Sequence, residues 1–418
     1  MKVRVYPGFA KGQIVVPPSK SLLHRSIICA CMANGKSIIK NIVMSEDIKA
    51  TINAFKTMGV KIEKLENSLE ISSSGILPFF GDEIIDCKES GSTIRFLMPL
   101  FANKKGIYFT GKESLLNRPF KIYEDIFKKN NVIFKKIDGK IYIQNELQAN
   151  TYEVLGNISS QFISGLLFSL PLKKSDSIIK IIGNLESKKY VDMTIDVLKE
   201  FGISISKEEN VYYIKGNQKY LPSNYKVESD YSQLAFFAVA GIINGDIAIQ
   251  NLNTESLQPD FEIINLIEKM GGKIIKEKNI YKFIKSETNG INIDVSQNPD
   301  IAPILSILAA VSKGETCFEN AQRLRYKETD RLKATSESLN LLGVKCKVKN
   351  DSFTVHGQNI LQGNSFSSYN DHRMVMSISI AALRANSPIT IEGAQAVNKS
   401  YPDFFEDLKS LGVKIEYL

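Results

Sequence analysis

Histidine is scarce in this 418-residue chain and cysteine is scattered, with three of the first and five of the second. His24, His356 and His372 lie far apart, and Cys29, Cys31, Cys87, Cys317 and Cys346 form no CxxC pair. An odd cysteine count at such spacings argues against both a disulfide framework and a zinc site. The expectation is reduced thiols in a cytoplasm, with no metal and no cofactor. Long apolar runs are missing too, so no membrane-spanning helix is expected. The opening stretch MKVRVYPGFAKGQ has no signal-peptide core. Dense basic runs are lacking although the net charge is +8, and the longest are pairs such as those at Lys104 and Lys128. Evenly spread lysines read as a solvated basic surface rather than a nucleic-acid face. A sharper reading is that part of the excess serves an acidic small molecule.

What the chain does have is an internal period. Six segments open on a small or acidic polar cluster and run into an apolar helical stretch: SKSLLHRSIICACMA from Ser19, SGSTIRFLMPLFA from Ser90, SSQFISGLLFSLP from Ser159, SDYSQLAFFAVAG from Ser229, NPDIAPILSILAAV from Asn298 and NDHRMVMSISIAAL from Asn370. Each is followed by a more polar helix and a short strand such as MGVKI at Met58 or LGVKC at Leu342. The spacing is roughly 70 residues, the mark of one supersecondary unit copied and packed against itself. In the fifth copy, ILSILAAV is apolar nearly all round, TCFEN reads as a strand, and Arg325 to Leu342 reads as an amphipathic helix carrying Leu332, Leu339 and Leu342. The unit therefore reads β-α-β-α-β-β. The fold class is α/β, with the six units split into two domains of three, each with sheets enclosing its apolar helices. One domain is placed at residues 21–227 and the other at 1–20 plus 228–418, with the active site expected in the cleft between them. No Gly/Ser- or Pro-rich linker marks the boundary, so it comes from counting repeats.

The variation between copies sits at the starts of the apolar helices, where backbone N–H groups point outward and anions bind. Taken alone, several of these clusters have a plain alternative. Lys20, Ser21 and Arg25 read equally as a capping serine with a solvated lysine. Ser159, Ser160 and Gln161 read as a capping run or a neutral phosphate cradle. Glu328 and Arg331, three apart in RYKETDR, read as a surface ion pair on one helix face.

Taken together, PSKSLLHR, SGSTIR, NRPF, SSQF, LRYKETDRL, NDHRMVM and KSYPDFFEDL, in this order along the whole chain, resemble the 5-enolpyruvylshikimate-3-phosphate (EPSP) synthase family. LRYKETDRL with NDHRMVM is the most specific part. The resemblance implies two inside-out α/β domains and transfer of the enolpyruvyl group of phosphoenolpyruvate to the 5-hydroxyl of shikimate 3-phosphate, with release of phosphate. Carried over residue by residue, it puts Ser21, Arg25, Ser159, Ser160, Gln161, Ser187, Asp300 and Lys327 on shikimate 3-phosphate, with Tyr190 beside them. It puts Lys20, Gly91, Arg95, Arg118, Gln161, Arg331, Arg373 and Lys399 on phosphoenolpyruvate. Asp300 is assigned as the hydroxyl base, and Glu328 with Lys20 as the proton-transfer pair at carbon. His372 reads equally as a structural histidine.

Some wording departs from the family pattern. Glu89-Ser90-Gly91-Ser92 stands where many members read Asn-Ala-Gly-Thr, Phe96 and Lys189 replace prolines, and the retained Gly91 implies a chain that glyphosate inhibits. Two rival readings stand beside it: the UDP-N-acetylglucosamine enolpyruvyl transferases, which would carry a reactive cysteine near Arg118, and a nucleic-acid-end-binding protein of similar fold. GKESLLNRPF holds no cysteine. The partners expected are the two small-molecule substrates, with no nucleic acid and no membrane, for a cytoplasmic monomer.

Overall fold

Six helices lie almost wholly out of water in the computed structural model, which describes residues 1–418. They are α1 (Lys20–Met32), α2 (Gly91–Phe101), α3 (Ser160–Ser169), α4 (Tyr231–Asn244), α5 (Ala302–Ala310) and α6 (His372–Ala381). These are the six apolar stretches of the sequence. All nine residues of α5 are buried, and thirteen of the fourteen in α4. Having no polar face, such helices are stable only when enclosed, each buried Leu or Ile contributing about 1.5–3 kcal/mol. Side-chain oxygens start four of them: Ser90 caps α2, Ser159 α3, Asp230 α4 and Asp371 α6.

The enclosure is built from six four-stranded sheets with one shared topology. In the fifth repeat the order is strand Asn292–Asp294, α5, strand Glu315–Glu319, outer helix Arg331–Leu341, strand Cys346–Val348 and strand Phe353–His356. The first strand pairs parallel to the second, and the other two pair antiparallel. Three repeats borrow a strand from elsewhere in the chain. Asn224–Lys226 supplies the first strand of the first repeat, Ala10–Ile14 that of the fourth, and Lys2–Val5 pairs between the strands of the sixth. The β-α-β-α-β-β reading of the sequence agrees with this pattern.

The chain divides into two compact units, residues 20–227 and residues 1–19 with 228–418. Each has a separate apolar core. Lys20 groups with residues 21–227, because it is the first residue of α1. One helix differs from expectation. The outer helix of the fifth repeat begins at Arg331 and not at Arg325, while Gln322–Tyr326 forms its own 3-10 turn. The Asp330 side chain accepts the Lys333 N–H at 3.0 Å and caps the helix there, and such local bonding competes with helix further upstream. Glu328 therefore sits in the bend before the helix and not on its face.

Candidate active site

In the unit of residues 20–227, the sequence-predicted residues gather at the starts of α1, α2 and α3. Lys20 reaches Asp47 of the outer helix Glu46–Thr57 at 2.7 Å. Arg25, 2% exposed, donates from Nε to Thr194 Oγ1 at 2.7 Å, and from its two terminal nitrogens to the carbonyls of Ser21 at 2.8 Å and Tyr190 at 3.1 Å. Its guanidinium also lies over the Phe96 ring, 5.0 Å from the centroid. No carboxylate meets it, and burial lowers its pKa to about 10. A buried cation held only by neutral oxygens is a strong anion receptor.

Arg95, Arg118 and Gln161 surround Gly91. Arg95 donates to Gln161 Oε1 at 2.7 Å, and Gln161 Nε2 donates to Ser92 Oγ at 3.0 Å. A Cβ on Gly91 would stand 2.8 Å from Arg118 Nη1 and 3.2 Å from Arg95 Nη1, so glycine is what lets the two guanidinium groups close over the helix start. Arg118 is 9% exposed, and its buried Nε has no partner. Pro99, inside α2, lacks the N–H that would have bonded the Arg95 carbonyl. The Tyr123 hydroxyl donates to that carbonyl instead, at 2.6 Å, and lies 3.1 Å from the Phe162 carbonyl. A side chain at Gly165 would collide with both Tyr123 and the Arg95 carbonyl, so the small residue sets how closely α2 and α3 pack. Ser159 caps α3 through the Gln161 N–H, and Ser160 is buried beside it. Ser187, buried at the start of the helix Lys188–Glu200, holds a left-handed backbone (φ 53°, ψ 39°), a strain of about 1–3 kcal/mol that clusters at functional positions.

In the other unit one arginine gathers the acids. The Arg331 side chain is 1% exposed. It donates from Nε to Asp371 Oδ2 at 2.8 Å, from Nη1 to Asp300 Oδ1 at 2.8 Å, and from Nη2 to Glu328 Oε2 at 2.5 Å. Lys327 joins Asp300 at 3.0 Å, and Arg373 Nη2 lies 3.7 Å from Asp300 Oδ2 while donating to Ser232 Oγ at 3.1 Å. Burial pushes the Asp300 carboxyl up, but Lys327, Arg373 and Arg331 together overcome this and hold it well below the usual carboxylate range. Burial likewise lowers the Lys327 ammonium, against the pull of Asp300. Lys399 Nζ donates to the Asn370 carbonyl at 2.5 Å. That carbonyl belongs to Tyr369-Asn370, two successive non-glycine residues at positive φ (50° and 52°). Buried His372 follows, its Nδ1 3.9 Å from Asp371 Oδ1.

Sequence reasoning did not single out Asp47, Thr194, Tyr123 or Asp371. Asp371 had a signal, since Asn-Asp ahead of an apolar run marks a helix cap. The other three lie on outer helices, where one polar residue among many carries no sign of which way it faces. No three His, Cys, Asp or Glu side chains group as metal ligands, and the acids around Arg331 are taken up by its guanidinium.

Comparison with known proteins gives a consistent answer. Residues 7–408 match the family model described as EPSP synthase (3-phosphoshikimate 1-carboxyvinyltransferase). A 3-phosphoshikimate 1-carboxyvinyltransferase of Clostridium acetobutylicum is 46% identical, covering 98% of this chain and 97% of that protein. One from Clostridioides difficile is 44% identical, covering 99% and 98%. A solved structure of EPSP synthase from Acinetobacter baumannii superposes over the whole of both chains with a TM-score of 0.82 at 27% identity.

Proposed function

Because the chain belongs to the EPSP synthase family, the 3-phosphoshikimate 1-carboxyvinyltransferases of aromatic amino-acid biosynthesis, we propose a division of labour among its own residues. Asp300 removes the proton from the 5-hydroxyl of shikimate 3-phosphate, and the resulting oxygen attacks C2 of phosphoenolpyruvate. Glu328 and Lys20 deliver a proton to C3, giving a tetrahedral intermediate that carries a methyl group. Loss of a methyl proton to the same pair then expels phosphate and leaves the enolpyruvyl ether. Ser21, Arg25, Ser159, Ser160, Gln161, Ser187 and Lys327 hold shikimate 3-phosphate. Lys20, Gly91, Arg95, Arg118, Gln161, Arg331, Arg373 and Lys399 receive phosphoenolpyruvate. We read the chain as a cytoplasmic monomer that works without metal or cofactor.

The observation that carries this reading is the knot of Asp300, Lys327, Glu328 and Arg331. A carboxylate held so low by three cations is a poor base. Substrate phosphate and carboxylate groups arriving beside those cations offset their charge, which raises the basicity of Asp300 when the hydroxyl is present. In the same way, an anion that takes Nη2 of Arg331 displaces Glu328 and frees it for proton transfer. The test is phosphate release from phosphoenolpyruvate with shikimate 3-phosphate, wild type against Glu328→Gln. Turnover that collapses in the variant supports both the reaction and the assignment. Turnover that survives removes Glu328 from proton transfer, and a folded wild type that releases none overturns the substrate reading.

A further inference from the structure

We propose that His24 is a positioning residue, whose imidazole acts through Thr51 and Thr93 to hold the capped start of α2. That start carries the Gly91–Arg95 segment assigned above to phosphoenolpyruvate, and the inference rests on that assignment. His24 is 0% exposed and has no place in the mechanism. It lies one turn beyond Lys20 on α1, just as Thr51 lies one turn beyond Asp47 on the outer helix. Lys20–Asp47 at 2.7 Å and His24 Nδ1–Thr51 Oγ1 at 2.8 Å are thus successive rungs between the same two helices. From Thr51 the chain continues to Thr93 Oγ1 at 2.7 Å, and from there to Ser90 Oγ, also at 2.7 Å. Ser90 is the residue that caps α2, accepting the Thr93 N–H at 3.2 Å. Gly91, beside the Arg118 and Arg95 guanidinium groups, is the next residue.

The direction of this chain can be worked out. Thr93 donates its hydroxyl proton to Ser90, so Thr51 must donate to Thr93. Having spent its only proton, Thr51 can only accept from His24, and Nδ1 must carry hydrogen. Nε2 is buried and has no partner, which agrees: a bare acceptor left unpaired costs less than an unpaired donor. The ring is then neutral, in keeping with its burial between Lys20 and Arg25, which lowers its pKa well below the ordinary histidine value. A head-to-tail chain of this kind has one arrangement only, so it fixes the rotamers of Thr51, Thr93 and Ser90 together.

The test compares His24→Leu, Thr51→Val and His24→Asn, with folding checked by circular dichroism. His24→Leu and Thr51→Val should each raise KM for phosphoenolpyruvate by roughly five- to thirtyfold, the size of one buried hydrogen bond. KM for shikimate 3-phosphate should stay within about twofold. The double variant should be no worse than either single one, because both cut the same chain. His24→Asn should recover most of the loss, since its amide N–H can sit where Nδ1–H was. Equal losses in both KM values, additive effects, or no rescue by asparagine would each overturn the proposal. If His24→Leu does not fold, Thr51→Val carries the kinetic test. Nitrogen-15 spectra are readable with only three histidines present, and they should show His24 as the neutral Nδ1–H tautomer. An Nε2–H or doubly protonated ring would defeat the argument. That readout needs no turnover, so it separates failure here from failure of the proposed reaction.

Discussion

Replacing Arg331 with methionine, which approximates the arginine stem and leaves out the guanidinium, should unfasten the acidic side of the site. Three carboxylates lose a partner at once, but they are not equally exposed to the loss. Asp300 and Glu328 have side chains 22% and 21% exposed, so water relieves them in part. Asp371 is 0% exposed and keeps the neutral backbone N–H of Arg373, at 2.9 Å, but no charged donor within hydrogen-bond distance. Removing one partner of a buried ion pair costs about 3–5 kcal/mol, and Asp371 supplies most of that here. For a unit of this size the loss corresponds to a fall in melting temperature of roughly 6–20 °C near pH 7. The pH dependence follows from Asp300. Its folded pKa is depressed, so the stability it contributes is present above the unfolded value of about 3.9 and is lost as pH falls toward the folded one. Part of that depression is due to Arg331, so the gap between wild type and Arg331→Met should be full at about pH 7 and should narrow below about pH 4. Scanning calorimetry at both pH values makes the comparison. Arg331→Lys should fall between the two, because one ammonium cannot serve three carboxylates in the geometry of a planar fork. A methionine variant melting within about 2 °C of wild type at pH 7 would refute the view that this residue ties the acids together.

Two further outcomes follow from the other unit. Gly91→Ala places a methyl 2.8 Å from Arg118 Nη1, so KM for phosphoenolpyruvate should rise by about five- to thirtyfold, the effect of 1–2 kcal/mol. Millimolar glyphosate should inhibit the wild type and inhibit this variant less, and steady-state kinetics with and without the inhibitor reads both. Asp47→Asn leaves Lys20 without the carboxylate that holds it at 2.7 Å, so kcat should fall by about ten- to hundredfold while the circular dichroism spectrum and melting temperature stay near wild type. A kcat within twofold of wild type would remove Asp47 from the orientation of Lys20.

The fold was legible because its signal is one-dimensional. An all-apolar helix repeated at a fixed interval leaves no option but enclosure, and α4 and α5 carry so little polarity that their burial could be read directly from composition. The borrowed strands were not legible. Asn224–Lys226 pairs in parallel with residues 38–40, almost the length of a whole unit away in sequence, and nothing in NYK says so. The helix start at Arg331 was not legible for a related reason: periodicity extends through RYKETDRL, but one capping bond from Asp330 decides where the helix begins.

At the site, cations were legible and their partners were not. Arginine and lysine at buried-helix starts stand out because burying them unpaired is costly, whereas Asp47 is one acid among several on a solvated helix until the fold sets it against Lys20. This asymmetry has a physical consequence. Arg25 and Arg118 meet no carboxylate in their unit, so an anion arriving there adds charge compensation that the protein itself lacks. Around Arg331 the protein has already supplied three acids, so an anion arriving there must compete with Glu328, the group proposed above for proton transfer. On the proposed roles, one unit attracts an anion and the other exchanges one, and only the exchange couples binding to the release of a base.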